Sequence, residues 1–65
     1  MSRARDPDEL LSRKELASAL GVSTRLVDKW IHDGTGPKAT LLPSGIRRWR
    51  WRDVLAWLDE RRESE

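Results

Sequence analysis

A chain of 65 residues with no cysteine, one histidine and a net charge of +2 has room for one small domain, and no disulfide or thiolate metal site can staple it. No apolar run approaches the ~20 residues that span a bilayer and no signal-peptide core follows the amino terminus, so the expected setting is a reducing cytoplasm. Four tryptophans with no phenylalanine and no tyrosine imply a core built on indole rings, each able to bury a large area.

The charge is unevenly spread. Residues 13–52 hold nine basic side chains against three acidic ones, a balance of +6, whereas residues 1–12 sum to −1 and residues 53–65 to −3. A basic middle between acidic ends implies one positive face and a polyanionic partner.

In chain order, residues 1–9 (MSRARDPDE) are polar and aperiodic and read as a disordered arm. A solvated tail is one use for it; placing Arg3 and Arg5 in a DNA minor groove is the other. Ser12 and Glu15 have capping-box spacing, and Leu11 and Leu16 occupy the positions of a hydrophobic staple. They predict a first helix over about 13–20, with Leu16, Ala17 and Leu20 inward and Gly21 ending it. Ser23 then caps a second helix over about 24–32. Val22 fills the gap between the two helices, and Leu26, Val27, Trp30 and Ile31 face inward. Arg25, Asp28, Lys29 and His32 repeat at i, i+3, i+4 and i+7 and form one polar face. Gly34 ends that helix.

Two strand-like runs follow, 38–42 and 46–51, with Pro43-Ser44-Gly45 as the turn between them. Ile46, Arg48 and Arg50 share one face of the second run; Arg47, Trp49 and Trp51 share the other, with Trp49 directed into the core. Trp51 has three open uses: core, a neighbouring subunit, or a sugar. The last helix runs from about 53 to 62, where Val54, Trp57 and Leu58 close the core and Leu55 is half exposed. Residues 63–65 fray. The ordered domain is therefore 10–62, mainly α with a β-hairpin wing: a winged helix-turn-helix.

That order of elements fits double-stranded DNA. A helix fits the major groove and presents its amino-terminal residues to base edges. Arg25 is the best guanine reader. Asp28 either accepts from a cytosine amine or orients Arg25, and the second role is favoured. Lys29 reaches a base or a phosphate, Ser23 and Thr24 donate to a phosphate at the helix start, and His32 meets phosphate or solvent. On the wing, Arg48 and Arg50 follow the backbone or enter the minor groove, Arg47 braces against the last helix or reaches a flanking phosphate, Lys38 and Arg52 add to the basic surface, and Ser44 and Gly45 make a small tip that permits close approach. The competing readings are a solvated helix face and a basic strand that guards a sheet edge. Catalysis finds no support. One histidine, no cysteine, acids without metal-ligand spacing and no phosphate-cradling loop leave no site for it.

The run LLSRKELASALGVSTRLVDKWIHDGTGPKA, followed by IRRWRWRDVLAWL, resembles the small excisionase and MerR-like winged-helix proteins of bacteria, phages and integrative elements. The similarity extends over Leu10–Leu58. It rests on Leu-Gly-Val-Ser at 20–23, Val-Asp-Lys-Trp-Ile at 27–31, Gly36-Pro37, Arg-Arg-Trp-Arg at 47–50 and Asp-Val…Trp-Leu at 53–58. The pattern departs at Arg52, where members often carry Ser or Thr; this leaves the last helix's cap open and frees Arg52 for a phosphate. It also departs at Trp49, where Tyr or Phe is common. The resemblance implies a recombination directionality factor with no cofactor. Neighbouring copies would bind an attachment site, bend it and help a site-specific integrase excise the element. A small MerR-like transcription regulator is the alternative, favoured against by the lack of an effector domain, and a protein-interaction module is the second.

Overall fold

Ser12 opens the first helix as its spacing predicts. In the computed structural model, which describes residues 5–63, the Ser12 hydroxyl accepts from the Glu15 amide at 3.1 Å and the Glu15 carboxylate accepts from the Ser12 amide at 2.8 Å. This reciprocal box starts α1 (Arg13–Leu20). The helix closes on a left-handed Gly21, and the Val22 amide donates back to the Ala17 carbonyl at 2.9 Å. Ser23 caps α2 (Thr24–Asp33) by accepting from the Leu26 amide at 3.2 Å. The end of α2 repeats the same closure, with Gly34 left-handed and the Thr35 amide on the Trp30 carbonyl.

The β part is larger than the sequence suggests. Strands β1 (Leu10–Leu11), β2 (Thr40–Leu41) and β3 (Arg47–Arg50) form an antiparallel sheet in the order β1-β3-β2. The hairpin strands are shorter than the expected 38–42 and 46–51, and a third strand joins them. Leu10 lies opposite Arg50 and Leu11 opposite Trp49; Thr40 lies opposite Arg48 and Leu41 opposite Arg47. A two-residue strand leaves no alternation to read, which is why β1 escapes a periodicity argument. Helix α3 (Trp51–Glu60) completes a winged helix-turn-helix.

The start of α3 corrects two expectations. Trp51 is the first helical residue, not the end of a strand, and its half-buried ring packs on the core. No side chain caps this helix. Instead the Trp51 amide donates to the Glu9 carbonyl at 2.9 Å and the Arg52 amide to the Pro7 carbonyl at 2.8 Å. Two amides that every helix start leaves open are thus satisfied by the segment expected to be a disordered arm. That segment turns through Asp6 and Glu9, whose backbone groups bond at 3.0 Å. Arg52 pairs with Asp8, Arg5 pairs with Glu9 at 3.1 Å, and the Arg5 guanidinium sits 5.4 Å from the centre of the Trp51 ring. Arg3 lies outside the described residues, as do the last two residues of the expected tail.

Leu11, Leu16, Ala17, Val27, Trp49 and Val54 form the buried core, with Leu20, Val22, Trp30, Ile31 and Trp51 packed against it. Trp57 is half-buried and meets Trp30, with ring centroids 5.3 Å apart and planes tilted by 58°. Leu58 does not close the core; one turn beyond the buried Val54, it is 38% exposed.

Gly36 fixes how the loop after α2 leaves the helix. Its φ is +84°, and a Cβ there would stand 2.8–2.9 Å from the Trp30 Cβ, Cγ and Cδ2 atoms. The loop backbone therefore packs directly against the Trp30 side chain. Gly36→Ala should cost about 2–4 kcal/mol, since left-handed strain of roughly 1–2 kcal/mol adds to overpacking. Gly45→Ala, where φ is +87° but the space is open, should cost only the strain. Urea unfolding of the two variants checks the order.

The capping box also carries a pH dependence. The Ser12 backbone amide, then its hydroxyl, hold the Glu15 carboxyl below the usual carboxylate range, with Arg5 and Arg48 adding to the shift. A folded-state pKa below the unfolded one stabilises the fold above the ordinary carboxylate range, and that stabilisation is lost as pH falls through the lowered value. Glu15→Gln keeps a capping side chain but has no charge to titrate. The melting temperatures of wild type and variant should therefore converge as pH is lowered, and a constant gap would overturn the assignment.

Candidate nucleic-acid interface

The exposed face of α2 carries Arg25, Asp28, Lys29 and His32 as its spacing requires, because Val27 is buried and Leu26, Trp30 and Ile31 take the inner side. The partners of these residues differ from expectation. Asp28 does not orient Arg25. It accepts two bonds from Arg13 Nη1, at 2.8 and 3.0 Å, and so ties α2 to the first turn of α1. In the sequence Arg13 registers only as positive charge, because an ion pair between residues 15 apart has no local signal. Lys29 donates to Asp33 at 3.2 Å, and His32 Nδ1 lies 3.3 Å from the other oxygen of the same carboxylate. Lys29 first, then His32, hold the Asp33 carboxyl below its ordinary pKa.

Among the described residues, ion pairs therefore sort the cations into two groups. Arg5, Arg13, Lys29, Arg52 and Arg62 each have a carboxylate within 4 Å, and His32 shares Asp33. Arg61 lies over the Trp57 ring at 4.7 Å. Lys14, Arg25, Lys38, Arg47, Arg48 and Arg50 have no carboxylate that close. Arg48 donates to the Arg47 carbonyl at 2.9 Å, and its charge reaches Glu15. The unpaired cations thus gather at the starts of the first two helices and along the hairpin. Arg52, expected on a phosphate, belongs instead to the paired group.

The hairpin is rigidly closed. The Gly45 amide donates to the Leu42 carbonyl at 2.8 Å and the Leu42 amide to the Ile46 carbonyl at 2.9 Å. Gly45 takes a positive φ and Pro43 sits second in the turn, a three-residue loop of the type-I-plus-bulge kind. Within β3, Trp49 is buried while Arg48 and Arg50 face the other side. Arg47 and Lys38 meet at a shallow cleft of about 230 Å³ between the end of α2 and the hairpin, floored by Trp30 and Trp49. The core tryptophans therefore set the spacing between the helix and the wing. Ser23 has its hydroxyl committed to its own helix, and Thr24 is half-exposed beside it.

No group of three or more His, Cys, Asp or Glu side chains is placed to hold a metal ion among the described residues. No helix among them is long and apolar enough to cross a membrane.

Residues 10–62 match the model of a protein family described as a helix-turn-helix domain. Neither the curated proteins nor the solved structures contain a match.

Proposed function

The chain belongs to the helix-turn-helix domain family, and from that membership, which supports sequence-specific DNA binding, we propose an excisionase-type architectural role. In this reading α2 lies in the major groove with Arg25 on a guanine edge. Lys29 and His32 are released in part from Asp33 to meet phosphates, and Ser23 and Thr24 flank a phosphate at the helix start. The hairpin runs along the backbone through Lys38, Arg47, Arg48 and Arg50, with Ser44 and Gly45 at its tip. Neighbouring copies occupy adjacent repeats of an attachment site in a bacterial cell, bend the DNA and assist an integrase.

One observation carries the reading: Arg25 and the hairpin arginines have no carboxylate within 4 Å, whereas Arg5, Arg13, Lys29 and Arg52 each do. Clustered cations without partners favour a polyanion over a solvated face. A single module of this size buries roughly 600–1,000 Å² on DNA, so specificity calls for several copies.

Binding to a duplex carrying the chain's own selected site should weaken with salt at a log–log slope of roughly −4 to −5 if about five phosphates are neutralised. Arg48→Ala combined with Arg50→Ala should flatten that slope; an unchanged slope would take the wing off the backbone. Arg25→Ala should lose about 1–3 kcal/mol of discrimination at one base pair while retaining most nonspecific affinity. Equal weakening on every sequence would mean that Arg25 reads no base. The excision role itself is tested by recombination between attachment sites with a site-specific integrase that acts on them, with and without the protein; equal excision in both arms rejects it.

A further inference from the structure

The exposed face of α2 carries a carboxylate in the middle of its cations. Asp28 stands one turn after Arg25 and one turn before His32, at the centre of the helix. An acid there faces the polyanion that the rest of the face attracts, and the contacts assigned to Arg25 and the hairpin give it nothing to do. Its partner is also distinctive. Arg25, Lys29 and His32 share its helix, yet the Asp28 carboxylate takes a bond on each oxygen from Arg13 Nη1 of α1, at 2.8 and 3.0 Å. Engaging both oxygens fixes the carboxylate in place. Stability does not account for the pair. Both side chains are half exposed, and such pairs contribute little. Arg13, as the first residue of α1, also faces the unfavourable positive end of that helix's dipole.

Resting on the DNA-binding reading above, we propose that Asp28 is a selectivity residue that acts by repulsion, with Arg13 as its positioning residue. Binding to DNA of arbitrary sequence comes almost wholly from phosphates. A fixed carboxylate at the centre of α2 opposes every docking in which the helix leans on the backbone. At the correct site Arg25 engages a base edge and the helix sits deep in the groove, so Asp28 faces bases rather than phosphates and its cost is smaller. Specificity is a difference of affinities, and an element that repels the wrong partner widens it. Arg13 holds the acid through Nη1 alone. Its Nε and Nη2 have no partner among the described residues, so the same guanidinium can hold a phosphate while it steadies Asp28. Asp33 has no such place: it is the last residue of α2 and is bonded to Lys29 and His32 of its own helix.

The test uses the full chain, a duplex carrying its selected site and a duplex of scrambled sequence, with affinities measured over a range of salt. Asp28→Asn and Asp28→Ala should each tighten binding to the scrambled duplex by about tenfold and change binding to the selected site by less than about threefold. The salt slope on the scrambled duplex should steepen by about one, because Arg13 then meets a phosphate without a counter-charge. Asp33→Asn removes the same charge from the end of α2 and should tighten both duplexes equally. Arg13→Gln should weaken selected-site binding by about tenfold alone and by only about threefold in the Asp28→Asn background, since the two side chains act as a unit.

Equal tightening on both duplexes by the Asp28 variants overturns the filter, because the charge then acts without regard to sequence. Loss of selected-site binding in both variants, with the scrambled duplex unaffected, overturns it in favour of Asp28 as a base reader. Equal losses from Arg13→Gln in the two backgrounds overturn the positioning role of Arg13. Absence of salt-dependent binding to either duplex overturns the DNA-binding reading itself, and the filter with it.

Discussion

Everything in this small fold is referred to the burial of Trp49. Among the described residues, β3 is the only strand that pairs on both edges, with β1 on one side and β2 on the other. It also contacts α1 and runs without a break into α3. One face of this four-residue strand supplies the largest ring of the core, and the other supplies Arg48 and Arg50. The alternation that buries the indole is therefore the same alternation that displays the charge. A domain of this size removes only about 60% of its unfolded surface from water, so one large side chain at the junction of all layers has a disproportionate share of the packing. Leu11 opposite it and Val54 just beyond it are wholly buried.

Most of the helical part was legible because helices announce their ends locally. Ser12 with Glu15, Ser23, Gly21 and Gly34 are each within four residues of the groups they satisfy, and the first two helices begin where those residues place them. What the sequence hid is everything held by long-range contact. Leu10 and Leu11 look like the approach to a helix until their partners 38 to 40 residues away are known. Trp51 alternates properly with Trp49 and so reads as strand, yet acceptors from residues 7 and 9 let the helix begin there. Leu58 has the right spacing for the core, but the cover over the face it shares with the buried Val54 is incomplete one turn further on.

The candidate interface divides in the same way. That Arg25, Asp28, Lys29 and His32 share one face follows from 3.6-residue periodicity alone. Which of them is electrically free does not, because it depends on acids elsewhere. Asp28 is spent on Arg13 and Asp33 on Lys29. These surface pairs contribute little to stability. Their larger effect is to select which cations face outward without a counter-charge, so the acids help to define the basic surface by subtraction. Arg52 illustrates the limit of composition: it counts toward the +6 middle of the chain but stands beside Asp8.

The strap across the start of α3 has a further consequence for how the chain acquires its structure. Asp8 and Arg52 are 44 residues apart in a chain of 65, so the loop they close contains both helices of the helix-turn-helix and the whole hairpin. Closing a loop of that length carries its entropic cost before any reward from the contacts inside it, and such pairings slow folding relative to local helix formation. During synthesis the first two helices can form and pair as soon as they emerge, whereas β1 must wait for β3 and the strap for α3. Until α3 is made, the nascent chain holds a formed α2 beside an open core. Residues 7–9 and the start of α3 thus come together last.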